Sequence, residues 1–166
     1  MSTLLDTSTD PDDTTQTQDN QNPPSQRTAV ARLMPGVGNT YLDSEFAQKL
    51  DSLEAFMEEQ GIPITYLSAY RPQALQDYLR TSGTGITPAK DSLHSAGLAA
   101  DLPMSTYTPE QRQAIVSAAK TLRLRWGGDF KSPGIDPNHF DLQPTNDHKS
   151  LINNFTPQVQ RLRTFQ

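Results

Sequence analysis

The first 28 residues limit what the rest of this 166-residue chain can build. They read MSTLLDTSTDPDDTTQTQDNQNPPSQRT, almost wholly Asp, Thr, Ser, Gln, Asn and Pro. Met1, Leu4 and Leu5 bring too little apolar surface to offset an ordering cost of about 1–2 kcal/mol per residue. Five aspartates against Arg27 give the segment a net charge of −4, most of the chain's −5. Residues 1–28 are therefore expected to be a disordered acidic tail and 29–166 a single domain. Its core must come from about 138 residues, enough for one domain.

Within that domain, Asp43-Ser44 followed by EFAQKLDSLEAFMEEQG predicts the clearest helix. Phe46, Leu50, Leu53 and Phe56/Met57 recur at helical spacing, and Gly61 stops the run. Residues 62–67, rich in Ile, Thr and Tyr, read as a short strand. A second helix is expected over 72–80, with Pro72 in its first turn. The polar stretch 81–92, with Gly83, Gly85 and Pro88, reads as a loop of the length that tends to carry function. Residues 98–102 predict an apolar strand interrupted by Asp101. Thr108-Pro109-Glu110-Gln111 is a capping-box pattern that opens a third helix running to about 122. Residues 124–126 and 139–143 read as strands around a Gly/Pro-rich connection, and 150–165 as a last, partly amphipathic helix. Short strands among helices, the last two able to pair as a hairpin, favour α+β over a doubly wound sheet. The expected architecture is a small, mostly antiparallel sheet flanked by helices. No glycine-rich phosphate loop follows a strand, which argues against a nucleotide fold.

The chain has no cysteine, which excludes disulfides, thiolate metal sites and a cysteine nucleophile. His and carboxylates remain as metal ligands. A pI of about 5.0 argues against binding to nucleic-acid backbone. No apolar run approaches the roughly 18 residues of a membrane span. MSTLLDTSTD has neither a basic start nor an apolar stretch, so no secretory signal is expected.

Three histidines are present, His94, His139 and His148. His94 lies seven residues before Asp101, which interrupts the apolar run LAADL. An ionised carboxylate in such a strand is costly unless paired or bound to a metal. Gly97 lets the chain turn so that His94 and Asp101 converge, either on a metal or in a plain His–Asp hydrogen bond within the core. His139 closes Asp136-Pro137-Asn138-His139, a sequence that suits a turn and brings Asp136 to the same side as His139. His94, Asp101 and His139 would make a three-ligand site suited to zinc, with a fourth position left open. Asp136 would then stand where a general base is needed. His148, in a polar stretch, is expected to be a surface residue. Arg71, at the end of Leu67-Ser68-Ala69-Tyr70-Arg71, is either a solvated arginine or one placed to meet a carboxylate or a developing oxyanion. Trp126-Gly-Gly-Asp129-Phe130 reads as a pocket wall or as a core aromatic followed by a turn.

Together these pieces resemble a known family. Ser92-x-His94-x-x-Gly97-x-Ala99-x-Asp101 resembles the first zinc motif of the VanY-type D-alanyl-D-alanine carboxypeptidases, whose relatives include the phage endolysin L-alanyl-D-glutamate peptidases. Ser68-x-Tyr70-Arg71 is similar to the family's substrate-arginine segment. Trp126-Gly-Gly-Asp129-Phe130 is similar to a tryptophan–diglycine segment of the endolysin branch, and Asp136-x-x-His139-Phe140 to the last motif. The four occur in the family's order. The stretch before Ser92, Thr-Pro-Ala-Lys-Asp, departs from the Pro-Gly pair that members often carry there. The resemblance implies a Hedgehog/DD-peptidase-like fold and one Zn²⁺ held by His94, Asp101 and His139. It implies Asp136 as general base and acid, Arg71 on the oxyanion or a substrate carboxylate, and Ser92, Tyr70 and Trp126 in substrate binding. The implied partner is the peptidoglycan stem peptide, met by a monomer. Van-type enzymes generally place Glu where this chain has Asp136, so the endolysin branch and an L-Ala–D-Glu cut are expected. Without an export signal, such an enzyme would leave the host cytoplasm by a holin-type route. The alternatives are a D-alanyl-D-alanine carboxypeptidase of wall turnover and an inactive, zinc-stabilised wall-binding module.

Overall fold

The computed structural model describes residues 26–83, 89–131, 134–143 and 147–165. The tail expected over 1–28 lies outside the described residues up to residue 25, as does the 84–88 part of the expected loop. The described chain opens with an antiparallel hairpin that the sequence reading did not anticipate. Strands β1 (Ala29–Met34) and β2 (Gly38–Asp43) pair from Ala29↔Asp43 to Met34↔Gly38. Asp43 then caps helix α1 (Ser44–Glu59), its carboxylate accepting from the backbone N–H groups of Glu45 and Phe46. The face of α1 that turns inward carries Phe46, Leu50, Leu53 and Met57. Phe56 stays 51% exposed, so Met57 takes the core position of that pair.

The domain begins earlier than residue 29. Arg27 is buried, and its Nη1 donates to Asp43 Oδ1 at 3.2 Å and to Glu45 Oε2 at 3.3 Å. The Arg27 carbonyl accepts from Gln158 Nε2 at 3.0 Å. Burial pushes the Asp43 carboxyl above its ordinary range, and the Arg27 charge opposes that push. Composition missed this because Arg27 is the one basic residue of an otherwise acidic and polar segment.

Residues 62–67 are not a strand. Ile62, Ile64 and Tyr66 alternate inward as a strand would, but their neighbours' backbone groups find scattered partners. Thr65 N–H goes to the Tyr107 hydroxyl, Tyr66 N–H to Pro35 O, and Leu67 N–H to Asp101 O. Ladder formation is limited to an isolated bridge between Ser68 and Asp101. Helix α2 (Gln73–Thr81) follows, with Pro72 as its cap rather than inside its first turn. Helix α3 (Pro109–Thr121) has the expected capping box, with Thr108 and Gln111 bonded reciprocally. Helix α4 (His148–Thr164) starts two residues before the expected point, capped by Asp147.

Three short strands make the second sheet: β3 (Ala99–Asp101), β4 (Arg125–Trp126) and β5 (His139–Asp141). Their order is β3-β5-β4, antiparallel throughout, and β4 and β5 pair around their long connection as expected. The fold is thus α+β with small antiparallel sheets and helices around them. Side chains alternate across these strands. Ala100 and Phe140 fill one face and pack in the same core as Leu50 and Leu53 of α1 and Ile115 of α3. The other face carries Asp101, His139 and Asp141. No helix among the described residues is long and apolar enough to cross a membrane.

Candidate metal centre

Register places the first two groups. Asp101 and His139 are direct cross-strand partners between β3 and β5, so their side chains share a face at short range. His94 arrives from the 3-10 turn Leu93–Ala96, just before β3. The Ser92 hydroxyl starts that turn by accepting from His94 N–H at 3.3 Å. Gly97 ends it in the left-handed region at φ 68°. A side chain there would strike the Phe155 ring and come within 2.8 Å of Asp43 N, so both conformation and space demand glycine. The result is that His94 Nε2 and His139 Nδ1 each lie 3.4 Å from Asp101 Oδ1. One donor atom from each of the three residues falls within 4.8 Å of the others, a group able to hold a metal ion.

Each member has its other side occupied by protein. His94 Nδ1 lies 2.7 Å from Ala69 O, a pure acceptor, so that nitrogen carries a proton and Nε2 is the atom turned inward. His139 Nε2 lies 2.8 Å from Asp141 Oδ2, which leaves Nδ1 to the centre. Asp141 is buried and is gripped by Arg125, with Nε and Nη2 each donating at 2.7 Å. Asp101 Oδ2 accepts from Ser68 Oγ at 2.6 Å, whereas Asp101 Oδ1 is buried and has no hydrogen-bond partner. A buried orphan oxygen between two inward-facing imidazole nitrogens fits a cation. At 3.4 Å neither imidazole lies in the usual hydrogen-bond range of about 2.7–3.2 Å, which disfavours the plain His–Asp pair. Carboxylate-backed histidines are the usual arrangement in metal sites.

The electrostatics agree. Burial works to raise the Asp101 carboxyl, yet the two imidazoles and the Ser68 hydroxyl hold it far below the usual range. Burial works to lower His139, yet the Asp101 and Asp141 carboxylates push it up to about 9. The half-buried Asp101 and buried Asp141 carboxylates draw positive charge into this face of the sheet.

Arg71 reaches the edge of the centre. Its backbone N–H donates to His94 O at 3.1 Å, and its Nη2 stands 3.9 Å from Asp101 Oδ2. Asp136 sits in the expected turn, closed by His139 N–H donating to Asp136 O at 3.1 Å. Its carboxylate is exposed and makes no hydrogen bond or ion pair among the described residues. The Trp126 segment grips this turn. Its indole N–H donates to Pro137 O at 2.8 Å, and Gly127 O accepts from Asp136 N–H at 2.8 Å. The Phe130 ring lies 5.5 Å from the His139 ring. Tyr70 packs edge-on to Tyr41 and against Phe155, in a smaller cluster beside α4. The described contacts of Ser92, Tyr70 and Trp126 are thus structural ones. His148 is not a free surface residue: it is half-buried, with Nδ1 3.0 Å from Asp91 O.

Sequence reasoning gave no role to Ser68, Gln76, Arg125 or Asp141. Asp141 had a usable signal, since residues two apart on a strand share a face and His139 was already a candidate. Gln76 had none, being one amide among several polar residues of α2.

Residues 86–142 match the family model for D-alanyl-D-alanine carboxypeptidase, a span that includes His94, Asp101, Asp136 and His139. Among solved structures, the chain is similar to the Serratia marcescens L-Ala D-Glu endopeptidase ChiX. The likeness has 22% identity and a TM-score of 0.33, covering 49% of this chain and 67% of that one. No curated protein matches the sequence. The family match spans about a third of the chain, and the three donor groups converge within it.

Proposed function

We propose that the chain is a zinc-dependent peptidase of peptidoglycan stem peptides that cuts between L-Ala and D-Glu. The observation that carries this reading is the buried, unpartnered Asp101 Oδ1 between His94 Nε2 and His139 Nδ1. Two imidazoles and one carboxylate suit zinc, and three protein ligands leave a position for substrate chemistry. When bound, zinc would polarise the scissile carbonyl and make water acidic enough to attack near neutral pH. Asp136, exposed on a turn fixed to His139, takes the proton from the attacking water and passes it to the leaving amine. Arg71 offers its guanidinium to the negative charge that develops on the carbonyl oxygen, or to a substrate carboxylate. Asp141 and Ser68 touch no substrate in this account; they hold His139 and Asp101 in the required orientations.

Asp rather than Glu at position 136, together with the Trp126-Gly-Gly segment, favours the L-Ala–D-Glu bond. The matching family bears the name of a D-alanyl-D-alanine carboxypeptidase, so release of D-Ala is the second reading. The site is tested by His94→Ala, Asp101→Ala and His139→Ala, each analysed for bound zinc after gel filtration. Each should lose most of its metal. One equivalent retained in all three variants overturns the assignment.

A further inference from the structure

We propose that Gln76 is a positioning residue: it aims the Arg71 guanidinium at the metal centre through a neutral contact. This rests on the reading of Arg71 as the group that meets developing negative charge. Gln76 is the residue that α2 buries completely, where an apolar side chain would ordinarily pack. Both ends of its amide are used. Oε1 accepts from Arg71 Nη1 at 2.8 Å, and Nε2 donates to Ala89 O at 2.6 Å. The sense of the amide is fixed by its partners, because a guanidinium only donates and a carbonyl only accepts.

Arg71 is thereby held at two points. Its backbone N–H is tied to His94 O, and its head to Gln76. The remaining Nη2 faces Asp101 Oδ2 from 3.9 Å, too far for a hydrogen bond, and so can donate to a ligand. A neutral acceptor suits this task. A carboxylate at position 76 would pair with the guanidinium and place an oxygen against Ala89 O. A thioether there would leave Arg71 Nη1 and Ala89 O unpaired. Gln73 braces the same segment by donating to Lys90 O at 2.9 Å, so α2 joins Arg71 to the chain that leads into Ser92 and His94.

The test is a double-mutant cycle on the zinc-loaded full chain, with Gln76→Met and Gln76→Glu made in the wild-type and Arg71→Ala backgrounds. Zinc content, melting midpoint, kcat and KM on a stem peptide are measured together. In the wild-type background each Gln76 variant should keep one equivalent of zinc and lose about 10–100-fold in kcat/KM. In the Arg71→Ala background neither should cost more than a further twofold, because Gln76 then has nothing to aim. Equal losses in both backgrounds overturn the proposal. Gln76→Glu keeps the side chain's shape should Gln76→Met fail to fold. If the wild type cleaves no stem peptide, the functional reading fails. The positioning proposal is then decided by NMR of the Arg71 guanidinium, whose restricted rotation should be lost in the variants. Unchanged guanidinium signals refute it.

Discussion

Adding one methyl group at Gly127 should displace the turn that carries both Asp136 and His139. A Cβ there would collide with the Asp136 carbonyl oxygen and lie 3.0 Å from His139 Cβ. Ordinary contacts between such atoms are about 3.5–4.0 Å, so the turn must withdraw by on the order of 1 Å. It cannot do so freely, because Asp136 N–H is bonded to Gly127 O and the Trp126 indole to Pro137 O. Overpacking of this kind typically costs about 1–3 kcal/mol. In a domain of this size that corresponds to a melting point lower by roughly 2–12 °C. The functional loss should be larger in proportion, since a misplacement of about 1 Å can cost 10²-fold in rate. Gly127→Ala should therefore fold, bind zinc more weakly, and turn over a stem peptide about 10²-fold more slowly. Gly134→Ala is the control, since a methyl there meets nothing within 4 Å. Circular dichroism, zinc competition against a chelator, and peptide turnover read the three effects. Wild-type zinc affinity and turnover in Gly127→Ala would refute the view that this glycine sets the position of the turn.

Asp136→Asn keeps the shape of the side chain and removes the base, so it should retain about one equivalent of zinc with turnover down by about 10²-fold or more. Activity within a few-fold of wild type rules Asp136 out as the base, and lost zinc makes it a ligand. In chelator-treated protein, the carboxylates around His139 raise its folded pKa to about 9, above an ordinary histidine value near 6.5. A raised value means that this pairing stabilises the fold fully below pH 6.5 and is lost as pH climbs through about 9. The metal-free melting midpoint should fall across that window, and a rise contradicts the assigned contacts. A chain beginning at residue 29 should be less stable by about 3 kcal/mol or more than one beginning at residue 26, because it leaves Asp43 buried without Arg27. Equal urea midpoints for the two truncations would show that the Arg27 pair contributes nothing.

Much of the centre could be read before the fold was known, for a reason that differs from residue to residue. Asp101 stood out because a carboxylate in an apolar strand needs a partner, and the antiparallel register supplies His139 opposite it. Gly97 was legible as a turn, and the structure adds that Phe155 and Asp43 crowd it, a contact between distant segments that no local pattern encodes. The helices were legible from caps and apolar spacing, as at Asp43 and Thr108. The hairpin over residues 29–43 was not, because its register depends on cross-strand packing. Residues 62–67 show the converse, with strand-like alternation whose backbone partners lie in three different segments. Arg125 and Gln76 carry no local signal, because their meaning lies in whom they touch, whereas Asp141 shares a strand face with His139.

The central claim is that this chain hydrolyses peptidoglycan stem peptides with a metal held by His94, Asp101 and His139. The most direct measurement incubates purified peptidoglycan with the protein in zinc-loaded, chelator-treated and zinc-restored form, and identifies the new termini by mass spectrometry. The account predicts new N-terminal D-Glu in the loaded and restored samples and none in the treated one. Release of D-Ala instead would move the cut to the other end of the stem peptide. Absence of any product from protein carrying a full equivalent of zinc would contradict the claim.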